Sequence, residues 1–170
     1  TVVGSDPACE ARVREWTTTA RARFATGDLL QVPFRDRSFD VALCYRLLPH
    51  VQRWRELMSE LARLARAAVV VDYPTTRSVN AVAGWLFDLK KGVEGDTRPF
   101  AVFRDAEVED AFAERGFSPT GRRAQFLFPM ALHRAVRSAG LARALEGAGA
   151  ALGLRRAFGS PVILRLERRG

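Results

Sequence analysis

Apolar residues along the chain fall in two registers. Short, nearly continuous apolar runs occur at Val2-Val3, at Phe24-Ala25, from Phe39 to Cys44 and from Ala67 to Val71. Runs of this kind suit parallel strands covered on both faces. Between them the spacing becomes helical. Cys9, Val13 and Trp16 share one face of a short helix, and Pro7 stands where a first helical turn tolerates proline. Val51, Trp54, Leu57, Met58, Leu61, Leu64 and Ala65 keep i, i+3, i+4 spacing through a longer amphipathic helix. Strand, helix, strand alternation predicts a doubly wound α/β sheet.

The second half of the chain continues the alternation. The run after Ala67 closes on Asp72-Tyr73-Pro74, and a helix is predicted from Asp105, as N-cap, to Gly116, as C′ residue. Val108, Ala111, Phe112 and Arg115 share one of its faces. Phe117 to Phe128 and Pro161 to Glu167 read as the last two strands, separated by helical sequence around Leu141, Leu145 and Leu152. From Thr75 to Phe103 the connection is longer than a crossover needs. Val79, Val82, Ala83, Leu86 and Phe87 can form an apolar helical face there, with Trp85 beside it and Lys90-Lys91 at the end. Core packing, a lid over an acceptor site and a membrane-surface contact all fit that face. There is no internal repeat, low-complexity tract or linker, so residues 1–170 read as a single domain.

Composition narrows the function classes. A chain of 170 residues with 48% hydrophobic content can bury a substantial core, and no apolar run approaches the roughly 20 residues that span a bilayer. Cys9 and Cys44 are too few for a disulfide framework, which favours a reducing, cytoplasmic setting. The net charge of +8 raises nucleic acid as a partner. Against it, the basic residues are almost all Arg, are spread along the chain and lack interleaved aromatics. Two His and two Cys at these spacings make no metal-ligand set.

The ordered series Gly4-Ser5-Asp6, then Gly27-Asp28-Leu29-Leu30-Gln31-Val32-Pro33-Phe34, then Ser38-Phe39-Asp40-Val41 resembles the small-molecule branch of the class I S-adenosylmethionine-dependent methyltransferases. The resemblance implies a Rossmann-like sheet with an antiparallel C-terminal strand pair, S-adenosylmethionine as cofactor, and a small apolar or aromatic acceptor. In that family a glycine-rich loop after the first strand holds the methionine portion of the cofactor, and the ribose-binding acid follows about 20 residues later. Asp6 comes too early for that loop to precede it here. The resemblance therefore implies a fragment lacking the first, central strand. It implies as well two unpaired edges that either close together or leave this piece unstable alone.

Candidate site residues follow from the same resemblance. Asp6 would accept hydrogen bonds from the ribose hydroxyls, the role its place in the series favours, with an N-cap before Pro7 as the local alternative. Asp28 would face the adenine amino group with Leu29 beside the ring; a turn Asp after Gly27 is the local alternative. Cys44, Tyr45 and Arg46 would lie by the sulfonium and amino-acid end, through their backbone. Methyl transfer is a direct displacement, so positioning dominates, and a base is needed only where the nucleophile must lose a proton. His50, Tyr73 and His133 are the candidates for that base, each with a capping or packing role as the alternative. The Thr75 to Phe103 segment and Phe126 to Arg134 would shape the acceptor side. A nicotinamide enzyme leaves the series unexplained, and no Tyr-x-x-x-Lys pair is present. A non-catalytic interaction module and an RNA-binding or RNA-modifying protein are the rivals from other classes.

Overall fold

A computed structural model of the chain describes residues 1–16, 23–78, 101–127, 140 and 147–170. In chain order the elements are β1 (Val2–Gly4), α1 (Cys9–Trp16), β2 (Phe24–Thr26), β3 (Phe39–Cys44), a 3-10 turn (Leu48–His50), α2 (Trp54–Leu64), β4 (Ala65–Tyr73), α3 (Asp105–Ala113), β5 (Phe117–Phe126), α4 (Leu154–Phe158) and β6 (Ser160–Arg168). β1 and β2 pair in parallel, as do β3 and β4, and β6 runs antiparallel between β4 and β5. The architecture is the mostly parallel, doubly wound Rossmann-like sheet that the apolar runs predict, with an antiparallel C-terminal pair.

The sheet is divided. β1 and β2 form a two-stranded sheet, and the other strands form a four-stranded one in the order β3-β4-β6-β5. Of the two outcomes expected for the inner edges, closing together is not what the structure shows: they stay apart across a cavity of about 510 Å³. Thr1, Val2 and Val3 line one side of it and Val41 to Tyr45 the other, while Leu29, Val32, Leu57 and Leu61 also line it. α2 covers one face of β3, where Cys44 is buried. Val41 and Leu43 point the other way and are 47% and 62% exposed.

An open parallel edge beside exposed apolar side chains is a surface for self-association. Leu43→Lys is expected to lower concentration-dependent association of the chain in sedimentation velocity. Equal association in the two proteins would show that this edge is not the contact.

The core lies between α2, α3 and the four-stranded sheet. Leu57 and Met58 from α2 and Val108 and Phe112 from α3 meet Val69, Val71, Phe117, Leu164 and Leu166 of the strands. Helix α2 passes directly into β4 at Ala65, so the strand starts two residues earlier than its apolar run predicts. At α3 the cap is Arg104, not Asp105: the Arg104 N–H donates to Glu107 at 2.8 Å. Asp105 is thereby released for the sheet. Gly116, two residues beyond the cap, takes φ +78°, a conformation that glycine adopts without strain.

Cys9, on the helix face it shares with Val13 and Trp16, is half-buried, where α1 packs on a two-stranded sheet. Helix at 147–151 and α4 flank Leu152, as expected, and Leu152 itself is 75% exposed. Leu141 and Leu145 lie outside the described residues.

Candidate functional site

Parallel strands bring their C-terminal ends to one edge of a sheet, where successive loops can converge on a ligand. Asp6 follows β1 and Asp28 follows β2, and these strands are in register from Val2 with Phe24 to Gly4 with Thr26. Pairing extends one step further through the Gly27 N–H to the Gly4 carbonyl at 3.1 Å. A Cβ on Gly4 would sit 3.0 Å from the Phe24 ring, so glycine at the end of β1 leaves room for that ring.

Both carboxylates are exposed, and both use one oxygen locally. Asp6 Oδ1 accepts the Ala8 N–H at 2.9 Å and Asp28 Oδ1 accepts the Leu30 N–H at 2.9 Å. These are the helix-entry and turn roles the sequence allows as local explanations. Oδ2 of each accepts no hydrogen bond among the described residues. An ionised carboxylate with one oxygen tethered and the other open is an acceptor of fixed direction. Leu29 and Val32, next along the loop, line the cavity.

The end of β3 supplies the other wall. Cys44 is buried, and Tyr45 and Arg46 are exposed. Arg46 takes φ +54°, unusual for a side chain with a Cβ, and its N–H donates to Asp72 Oδ1 at 2.5 Å. Asp72, at the end of β4 and 4% exposed, thus holds the backbone turn after β3.

Burial, with the Asp72 charge second, pushes the Cys44 thiol from its ordinary 9.0 up to about 11. The native thiol stays protonated where the unfolded one has ionised. Its contribution to stability is complete below pH 9.0 and is lost as pH rises toward about 11. At pH 8.5, iodoacetamide is expected to modify Cys9 in the native chain and to spare Cys44, with both modified in denaturant. Rapid native labelling of Cys44 would contradict its placement.

The three candidate bases separate. His50 closes the 3-10 turn and is exposed. Tyr73 is 1% exposed, and its hydroxyl donates to Asp105 Oδ1 at 3.1 Å while accepting from Arg122 Nη2 at 3.3 Å. Desolvation, then Asp105, push this phenol well above its usual value. Tyr73 therefore fits a buried pin between β4, α3 and β5 better than a base. Arg122 completes the pin by donating to Asp105 and Glu109, each at 2.6 Å. His133 lies outside the described residues, as do most of the 75–103 segment and most of the stretch from Phe126 to Arg134.

The base of the 75–103 segment is described, and it stands at the same sheet edge. Thr75 bridges to Phe103, with the Thr76 N–H on the Phe103 carbonyl and the Phe103 N–H on the Pro74 carbonyl, both 2.9 Å. Ala101 N–H donates to Pro49 at 2.8 Å beside the 3-10 turn. Among the described residues, no helix is long and apolar enough to cross a membrane, and no cluster of His, Cys, Asp and Glu could hold a metal ion.

The sequence reading missed Asp72, Glu60 and Arg63. Glu60 alone carried a signal, being an acid three residues from Leu57 and four from Leu64, hence on the apolar face of α2.

Parallel strands with acids at their carboxyl ends and an antiparallel last strand make the fold of the class I S-adenosylmethionine-dependent methyltransferases. Residues 1–70 match the methyltransferase domain family, a stretch that includes Asp6, Asp28 and Cys44 to Arg46. Among solved structures, the chain is similar to magnesium protoporphyrin IX methyltransferase from Synechocystis PCC 6803 with bound S-adenosylhomocysteine. That match has 17% identity and a TM-score of 0.57, covering 93% of this chain and 57% of that one. A SAM-dependent methyltransferase from Thermotoga maritima matches at 17% identity and TM-score 0.60, over 98% of this chain and 72% of that one. The cyclase SpnF matches at 15% identity and TM-score 0.59, over 98% and 64%. At these identities the likeness is one of fold. No curated protein sequence matches the chain.

Proposed function

We propose that this chain binds S-adenosylmethionine at the carboxyl edge of β1 to β4, and that the protein containing it transfers the methyl group to a small acceptor. One observation carries the reading: two exposed carboxylates end adjacent parallel strands, each tethered through one oxygen and, among the described residues, open at the other. Asp6 would take the ribose hydroxyls, and Asp28 with Leu29 the adenine. The turn from Cys44 to Arg46, fixed by Asp72, would present backbone to the amino-acid end. When bound, the cofactor supplies an electrophilic methyl group, and this chain's residues hold it and the acceptor in line.

An apolar or aromatic acceptor fits the exposed aromatic residues at the same edge. Tyr45 follows β3 and is 47% exposed. Phe126 ends β5, which runs parallel to β4, and is 38% exposed. His50 is the remaining described candidate for a base, should the acceptor need one.

Ultraviolet cross-linking with radiolabelled S-adenosylmethionine tests the reading. Label is expected within residues 1–46, displaced by S-adenosylhomocysteine and much less by ATP or NAD at the same concentration. Equal displacement by ATP would make the site a general nucleotide surface. The open edge of β3 favours a second reading, a non-catalytic interaction module, and absence of cross-linking would favour it over the first.

A further inference from the structure

β1 and β2 share no ladder with the four-stranded sheet, so something other than strand pairing sets the distance between the two halves. Among the described residues, the hydrogen bonds that tie residues 28–37 to the four-stranded half all run to two residues of α2. The Val32 N–H donates to Glu60 Oε1 at 2.7 Å. Arg63 Nη2 donates to the Val32 carbonyl at 3.0 Å, and Arg63 Nη1 to the Phe34 carbonyl and to Asp36, both at 2.7 Å. The Arg37 N–H donates to the Arg63 carbonyl at 2.8 Å. Arg63 also grips Glu60 through Nε at 2.8 Å and Nη2 at 2.6 Å.

This geometry differs from a surface ion pair, which contributes little to stability. The Glu60 side chain is 10% exposed and that of Arg63 29%. Arg63 holds Glu60 below the usual carboxylate range, by the hydrogen bond first. Any apolar residue could fill position 60, but none could satisfy the Val32 N–H, which is buried with its residue at 7% exposure. The planar guanidinium reaches five acceptor oxygens of four residues, which a lysine ammonium cannot do in one position. The loop so held begins at Asp28 and Leu29.

We infer that Glu60 and Arg63 are positioning residues for the cofactor. They set the distance between the half bearing Asp6 and Asp28 and the half bearing Cys44 to Arg46, and through it the affinity for the adenosine end, without touching the ligand. The inference rests on the cofactor reading above, and its test separates the two.

Spin labels on Cys9, in α1, and on an introduced Thr120→Cys, exposed in β5, report the distance between the halves by electron–electron resonance. Cys44 is buried and takes no label. The otherwise unsubstituted chain is expected to give one narrow distance distribution. Arg63→Ala should broaden it and weaken S-adenosylhomocysteine binding at least tenfold by calorimetry. Arg63→Lys and Glu60→Gln, which keep part of the bonding, should fall between. Should Arg63→Ala fail to fold, Arg63→Lys decides. Native distance width and native affinity in the folded variant would overturn the inference. No ligand binding by the unsubstituted chain, together with a broadened distribution in the variant, would remove the cofactor reading and support the spacing role alone.

Discussion

Asp6→Asn is expected to weaken S-adenosylhomocysteine binding by roughly 10- to 100-fold, or about 1.5–3 kcal/mol, with no change in the unfolding transition. The choice of Asn isolates the ligand role. Asn caps a helix as well as Asp, so its carbonyl oxygen can keep the Ala8 N–H that Asp6 Oδ1 now accepts. The amide then turns its NH₂ outward, toward ribose hydroxyls that need an acceptor. Asp6→Ala removes both roles, and the lost cap should cost a further 1 kcal/mol or so of stability. Equal affinity of Asp6→Asn and the native chain, measured by calorimetry, would take Asp6 out of the site and leave it a cap.

Phe112→Ala should have the largest effect on stability. Phe112 is fully buried on α3 and meets Phe117 edge to face, with ring centroids 6.3 Å apart. Truncating a buried Phe costs about 3–5 kcal/mol in lost transfer energy and residual cavity. Against the 5–15 kcal/mol typical of a whole domain, that is a large share. Denaturant titration should show the midpoint falling steeply while the slope holds. A shift equivalent to less than about 1 kcal/mol would place Phe112 outside the core.

Much of this architecture was legible because it is local. The apolar runs at Phe39 to Cys44 and Ala67 to Val71 locate β3 and β4, and the spacing from Trp54 to Leu64 locates α2. The buried face of α3, with Val108, Ala111 and Phe112, also follows from spacing. Long-range contacts were not legible. Tyr73 resembles a reactive strand-end residue until Asp105 and Arg122, 32 and 49 positions away in sequence, are found on its hydroxyl. The spacing of Glu60 marks it as an acid on the apolar face of α2, but its partners, Arg63 and the 32–37 loop lying on both, show only in the fold.

The strand-end acids were legible as a pair because their places at β1 and β2 follow from the order of runs. Their local roles could not be told from ligand roles by sequence, since the oxygen that caps and the oxygen left open belong to one side chain. The divided sheet was expected only as two edges that close or fail. The cavity between Val2-Val3 and Val41 to Tyr45 depends on Leu57 and Leu61 of α2 and on the loop residues Leu29 and Val32, which no single segment reveals.

Calorimetric titration of S-adenosylhomocysteine into the chain tests the central claim most directly, with adenosine as competitor. Saturable one-to-one binding that adenosine competes is the expected result, because Asp6, Asp28 and Leu29 address the adenosine half. Absence of saturable heat up to millimolar ligand, or binding that adenosine leaves untouched, would contradict it.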